Sequence, residues 1–166
     1  MLLPIRRNPF QGGFTFLELI VVVVILGVLT ISIAPLSLSN SIFYARGFHD
    51  ETLALLRYAQ KSAIAQRRTV CVEFSGAVSV SLRIASSAGS STCTNDLEGP
   101  SAGTGSTAAV TAESDVSYSV VPSNFSFDGL GQPVDGSGAL AATQSIQVVN
   151  APNNISVEAI TGYVHE

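Results

Sequence analysis

Glu18 is the residue in this 166-residue sequence whose setting most clearly calls for a chemical explanation. It is the only charged residue between Phe14 and Ile33, a stretch that is otherwise almost entirely apolar. A carboxylate within a membrane segment costs about 2.5–3.5 kcal/mol on insertion scales, so such a residue needs a partner or a function. We expect Glu18 to lie near an interface, to pair with its own N-terminus, or to meet a positive group on another chain.

The apolar stretch has the length of a membrane helix. It contains 20 residues, which form a helix about 30 Å long, close to the thickness of a bilayer core. Arg6 and Arg7 precede it, so the positive-inside rule places the N-terminus in the cytoplasm and the C-terminal part on the other side. A plain single-pass anchor accounts for these features. A secretory signal fits less well, because its apolar core has about 7–15 residues and small residues follow it.

Residues 13–19, Gly-Phe-Thr-Phe-Leu-Glu-Leu, resemble the type III signal of type IV prepilins and type II secretion pseudopilins. The resemblance implies that prepilin peptidase cleaves between Gly13 and Phe14, that the new Phe14 amine is methylated, and that the apolar helix stays in the mature protein. Phe16 stands where leucine is more usual. Pro35 is similar to the proline that kinks the long helix of this family, and its missing N–H donor independently predicts a kink or break.

The same resemblance supplies a partner for Glu18. Cleavage would create a positive amine at Phe14, one helical turn from Glu18. In a filament of parallel helices, Glu18 of one subunit would neutralise the Phe14 amine of a neighbour. Pairing in a low dielectric offsets desolvation only when the geometry is good, so the pair favours one axial register over others.

A second helix follows in the sequence. Apolar residues spaced mostly by three and four predict an amphipathic helix that ends near Arg67 and Arg68, whose charges complement its C-terminus. Residues 53–63 resemble the equivalent helix of the GspH/FimT branch, and minor pilins of MSHA-type pili have similar helices. The resemblance implies a minor, tip-type subunit. A basic cluster on this helix is interpreted as a solvated face rather than a nucleic-acid site; it comprises Arg57, Lys61, Arg67 and Arg68.

From residue 69 the apolar period changes to two. Residues 69–74 and 78–84 predict a hairpin, and residues 85–115, rich in Ser, Gly, Thr and Ala, predict a long mobile loop. Further strands are predicted at 116–121, 125–127, 145–149 and 155–160. Residues 128–133 form a turn cluster similar to one that recurs in the GspH/FimT branch.

We therefore predict an α+β fold, the pilin-like lollipop, in which a long N-terminal helix packs on a small antiparallel β-sheet head. Its first half is transmembrane and its second half amphipathic. The predicted segments are a leader peptide at 1–13, a transmembrane helix at 14–34, an amphipathic periplasmic helix at 35–68 and a β-rich head at 69–166.

The charge of the head bears on its partners. From residue 69 onward Arg83 is the only basic residue against nine acidic ones, which opposes attraction to nucleic acid or anionic lipid. The C-terminus resembles that of FimT-like minor pilins, some of which have a Gly-Arg-x-Arg sequence implicated in DNA binding. Here those arginine positions hold Tyr163 and His165, so the DNA-binding role does not carry over.

Cys71 and Cys93 fit no zinc or redox spacing. In the periplasm they would form a disulfide worth about 3 kcal/mol through loop-closure entropy. The alternative is two free thiols, with Cys71 buried as a small hydrophobe. His49 and His165 are far apart and have no ligand cluster near them in the sequence, so we predict no catalytic site, no metal site and no cofactor.

The expected function is structural. A minor pilin or pseudopilin would initiate, join or cap a filament assembled from the bacterial inner membrane. The implied partners are other subunits of the filament, prepilin peptidase, the inner-membrane assembly platform and membrane lipid. Type II secretion, type IV and MSHA-type systems are not distinguished. Two alternatives are a DNA-binding minor pilin in DNA uptake and a membrane-anchored periplasmic enzyme or binding protein.

Overall fold

The computed structural model describes residues 13–33, 40–99 and 106–166. The predicted kink at Pro35 and most of the predicted leader lie outside these residues. The chain divides into two compact units, Met1–Ser39 and Asn40–Glu166, which are described separately below.

The first unit contains helix α1, Phe16–Ile33. It begins two residues later than the predicted segment 14–34, because Thr15 caps its N-terminus, and the last predicted residue, Ala34, is outside the described part of the chain. Within the described residues, no helix combines the length and the apolarity that are needed to cross a membrane.

The second unit begins with helix α2, Asn40–Gln66. Its buried side chains recur mostly at spacings of three and four; they include Ala45, Phe48, Leu53, Leu56, Ala59 and Ala63. The helix ends in a Schellman arrangement, in which Arg68 N donates to Ala63 O and Arg67 N donates to Ile64 O. Arg67 takes the left-handed conformation that this ending requires, with φ of 50°. The helix therefore ends near the predicted residues, and its backbone hydrogen bonds define that end.

In the described part of the chain after α2, nine strands form two antiparallel sheets, which confirms the predicted α+β class. The larger sheet has the order β3-β2-β1-β5-β6, with β4 also paired to β2, and the smaller has the order β7-β8-β9. The strands are β1 (Val70–Ser75), β2 (Ser79–Ala85), β3 (Cys93–Asp96), β4 (Ala109–Thr111), β5 (Phe125–Phe127), β6 (Pro133–Val134), β7 (Gln144–Ile146), β8 (Ile155–Val157) and β9 (Val164–His165).

The hairpin of β1 and β2 lies within one residue of its predicted position. Val70, Val72 and Phe74 point to the core, as the period of two predicts. The turn contains Gly76 with φ of 67°, a conformation that glycine adopts without steric cost.

The region 85–115 differs from the predicted loop, because β3 and β4 lie within it. Both strands pair with β2, as in the partners Ile84 with Asn95 and Val80 with Val110. Each is only three or four residues long, so local alternation does not reveal it, and β4 pairs with β2 although β3 lies between them in the sequence. Residues 116–121 also differ from the prediction, because they form an isolated bridge instead of a strand.

Tyr118 in that region joins the helix to the sheet. Its ring packs against Phe48 of α2 at a centroid distance of 4.9 Å and against Phe74 of β1 at 5.5 Å. Its hydroxyl hydrogen-bonds the Thr52 hydroxyl at 3.0 Å. Burial raises the pKa of Tyr118 to about 12, with the Thr52 bond acting in the opposite direction.

Two glycine turns interlock against α2. Gln60 donates one side-chain amide to Gly131 O at 3.2 Å and to Thr161 O at 3.0 Å. Gly162 has φ of 64°, and a Cβ there would lie 2.0 Å from Gly131 O. The close backbone approach therefore requires glycine at position 162.

We predict that Gly162→Ala lowers the free energy of unfolding more than a glycine-to-alanine substitution at another position with a positive φ. A positive φ costs alanine about 1–2 kcal/mol. The overlap with Gly131 O adds a cost of about 1–3 kcal/mol, typical of overpacking. Thermal unfolding of the full chain in detergent measures the difference.

Gly138→Ala is the matched control, because Gly138 has φ of 83° but a Cβ there meets nothing within 4 Å. Equal melting temperatures for the two variants would show that the turns do not interlock in solution.

Candidate functional site

The stretch around the predicted scissile bond lies ahead of α1. Gly13 and Phe14 are exposed and have no regular secondary structure, and the Phe14 side chain is 83% exposed. A Cβ built at Gly13 meets nothing within 4 Å. The described fold therefore does not require glycine at position 13. The Gly13–Phe14 peptide bond is exposed, so another protein can reach it.

Thr15 forms the N-cap of α1. Its hydroxyl accepts a hydrogen bond from Glu18 N at 3.3 Å, and its carbonyl accepts one from Leu19 N at 3.1 Å. Thr15 and Glu18 have the spacing of a capping box. We did not predict this role from the sequence, although a Thr-x-x-Glu pattern before an apolar run is a readable signal.

Glu18 gains a local role from this arrangement. It lies in the first turn of α1, where the helix macrodipole stabilises a negative charge by about 0.3–1 kcal/mol. Among the ion pairs found in the described part of the chain, none involves Glu18. The site thus presents one carboxylate at a fixed position at the start of the helix.

Between Glu18 and Thr30, α1 is apolar around its whole circumference. Large hydrophobic side chains from Phe16 to Leu29 are exposed in the isolated chain, from 43% at Ile20 to 81% at Phe16. A helix that is hydrophobic all round is typically buried, in lipid or among other helices. This surface is suited to lateral packing.

Cys71 and Cys93 are joined by a disulfide in the structure, with a Cα–Cα distance of 6.1 Å. Cys71 lies on the face of β1 opposite to the core residues Val70 and Val72, and Cys93 begins β3. The bond therefore ties the start of β3 to the outer face of the larger sheet.

The basic cluster on α2 is more than a solvated face. Arg57 Nε donates to Val164 O at 3.1 Å, and the Arg68 guanidinium donates to Ala85 O. Each carbonyl belongs to a different sheet. Arg57 thus holds α2 to β9, and Arg68, which follows the end of α2, holds the start of the sheet region to β2.

The C-terminal positions of interest form a small stacked group. Tyr163 stacks on His165 at a centroid distance of 5.2 Å, and His165 Nε2 lies 2.9 Å from Glu158 Oε1. The hydrogen bond to Glu158 raises the pKa of His165, with a further contribution from the Glu166 carbonyl. Where some FimT-like proteins have two arginines, this chain therefore has a stacked pair held by a carboxylate.

One family model matches the chain, over residues 8–34, and describes the prokaryotic N-terminal methylation motif. The match supports the type IV pilin-like prepilin family, with prepilin-type cleavage and methylation and a membrane-anchored pilin. In general terms it also supports partnership with prepilin peptidase and with components of a pilus or pseudopilus. No curated protein and no solved structure matches the chain.

We predict that Gly13→Leu blocks processing without disturbing the fold, because a Cβ at position 13 meets nothing within 4 Å and the residue is exposed. The precursor should accumulate at full length in the membrane fraction, with unchanged thermal unfolding. Immunoblotting and N-terminal sequencing measure this. Gly27→Ala is the control, since it also adds a Cβ that meets nothing within 4 Å. A shortened product from Gly13→Leu would contradict the cleavage site.

We predict that Glu158→Gln lowers the pKa of His165 towards the usual value of about 6.5. Because the folded-state pKa is raised, the pair stabilises the fold below the unfolded pKa, and this contribution is lost as pH rises through the folded value. NMR titration of the imidazole measures the shift. Glu113→Gln removes the same charge from an exposed position and serves as control. Identical His165 titrations in the two variants would contradict the pairing.

Proposed function

We propose that this chain is a minor pilin or pseudopilin of the GspH/FimT branch. It initiates, joins or caps a type II secretion pseudopilus or a type IV pilus, including the MSHA type. The role is structural rather than catalytic. The observation that carries the proposal is the methylation motif at residues 8–34, which coincides with an exposed Gly13–Phe14 bond directly ahead of an apolar helix.

Before assembly, the segment 14–34 anchors the subunit in the inner membrane. The leader arginines keep its N-terminus in the cytoplasm, and residues 40–166 lie in the periplasm. Prepilin peptidase then cleaves after Gly13, and the Phe14 amine is methylated. The same apolar surface that contacts lipid packs against other subunits in the filament, so the anchor is also the assembly element.

Glu18 sets the axial register in this proposal. Thr15 caps the first turn and keeps Glu18 at a defined position along the helix. Two charges in an apolar environment compensate their desolvation only in good geometry. A neighbouring Phe14 amine meets that condition at one axial offset, and other offsets leave both charges without a partner.

The head supports the assignment to the branch in two places. Residues 53–63, which resemble the branch helix, provide the buried side chains that pack on the sheets. The turn that resembles a recurring branch turn is held by Asp128, whose Oδ1 accepts hydrogen bonds from Leu130 N at 2.9 Å and Gln132 N at 2.8 Å. The acidic residues of the head then face neighbouring subunits or cargo.

We predict that Glu18→Ala is cleaved normally but is lost from filaments. Removing one partner of a buried ion pair costs about 3–5 kcal/mol. Incorporation should therefore fall by more than about 100-fold. Immunoblotting of sheared filaments and of membranes measures incorporation and cleavage in the same culture.

Two further variants separate charge from capping. Glu18→Gln keeps the side-chain size and should fail like Glu18→Ala. Thr15→Ala removes the cap, worth about 1 kcal/mol, but keeps the charge and should still be incorporated. Normal incorporation of Glu18→Ala into filaments would contradict the proposed role of Glu18 in axial register. An equal loss of incorporation for Thr15→Ala would assign the effect to helix capping.

A further inference from the structure

His49 occupies an unusual position in the second unit. It lies on α2 with its side chain only 4% exposed, and its Nδ1 faces two carboxylates. Asp50 Oδ1 is 3.1 Å away and Glu166 Oε1 is 3.9 Å away. Its Nε2 is buried and has no hydrogen-bond partner among the described residues. The ring is thus oriented towards the carboxylates, while its other nitrogen is left without a partner.

We propose that His49, Asp50 and Glu166 form a binding site for one divalent transition-metal ion of the Zn²⁺ type. One imidazole nitrogen and two carboxylate oxygens are a donor set that suits Zn²⁺. The three atoms lie within 4.8 Å of one another. Bonds of about 2.0–2.2 Å in a tetrahedral site place ligand atoms about 3.3–3.5 Å apart, so small side-chain movements complete the geometry.

The surroundings of Glu166 support this site. Asn153 Nδ2 donates to Glu166 Oε2 at 3.0 Å and leaves Oε1 directed at His49. Metal-binding carboxylates are typically oriented by such outer hydrogen bonds. Glu166 and Asn153 also line an open surface cavity of about 700 Å³, so the Glu166 side of the site faces solvent.

The two carboxylates near His49 favour a bound cation over a hydrogen bond alone. A neutral imidazole donates its Nδ1 proton to one carboxylate at a time, whereas a divalent cation interacts with both. Two carboxylates that converge on one point repel each other unless a positive charge lies between them. The ion would tie Glu166, which follows β9, to helix α2.

His49 has no evident ligand cluster in the sequence because Glu166 is 117 positions away in the chain. The fold brings them together, since β9 packs against α2. This site is independent of the proposed filament role, because none of its residues lies in the N-terminal motif.

The test is Zn²⁺ binding by the full-length chain in detergent, after treatment with EDTA. Calorimetry should give one Zn²⁺ per chain, and mass spectrometry should detect the bound ion. Asp50→Asn and Glu166→Gln should each weaken binding by at least about tenfold, the lower bound for losing an outer-shell partner. His49→Gln should abolish it.

His165→Gln is the control, because it removes the other histidine and leaves the side chains of the three proposed ligands in place. His165 contacts the Glu158 carboxylate through Nε2 and the backbone carbonyl of Glu166, not its side chain, through Nδ1. It should bind Zn²⁺ as the parent chain does. If His49→Gln fails to fold, the two carboxylate variants decide, since both side chains are partly exposed. Absence of binding, equal binding by Glu166→Gln, or equal affinity for Mg²⁺ would overturn the proposal.

Discussion

The fold of residues 40–166 depends on the packing of one helix against two separate sheets. Helix α2 contacts β1, β2, β4 and β5 of the larger sheet and β9 of the smaller one. Leu56, Ala59 and Ala63 are fully buried at this contact, and the two alanines allow the backbones to approach closely. Polar side chains of the same helix then bind backbone carbonyls, as Arg57 does at Val164 and Gln60 at Gly131 and Thr161. A single element therefore fills the core and donates hydrogen bonds to backbone carbonyls of β9 and of the two glycine turns.

This dependence explains what the sequence reveals about the fold. The helices and the first hairpin follow from local periodicity, because α2 has its buried residues at helical spacing and Val70, Val72 and Phe74 alternate. Strands such as β6 and β9 have two residues each, which is too short for alternation to reveal them, and they are defined by their pairing with β5 and β8. Their pairing is set by tertiary packing rather than by intrinsic preference. The α+β class was therefore predictable, whereas the division into two sheets was not.

The same distinction separates the two candidate sites. Gly13, Phe14, Thr15 and Glu18 are neighbours in the chain, so their spacing alone carries the signal, and even the overlooked cap at Thr15 follows a readable pattern. The group around His49 draws its third member from the far end of the chain. No spacing rule identifies it, because the helix–sheet packing that assembles it is itself non-local. Sites of the second kind become visible only with the fold.

The energetics of Glu18 link processing to assembly under the proposed function. A carboxylate in a membrane segment costs about 2.5–3.5 kcal/mol. The macrodipole at the start of α1 recovers about 0.3–1 kcal/mol, so local structure offsets only part of this cost. In the proposed filament, a cation at the same end of a neighbouring helix would supply the rest, and Phe14 would acquire a free amine only after cleavage. The uncleaved precursor has the carboxylate without that amine. Cleavage would thus do more than remove a leader, since it would create the charge that makes one packing arrangement more stable than the others.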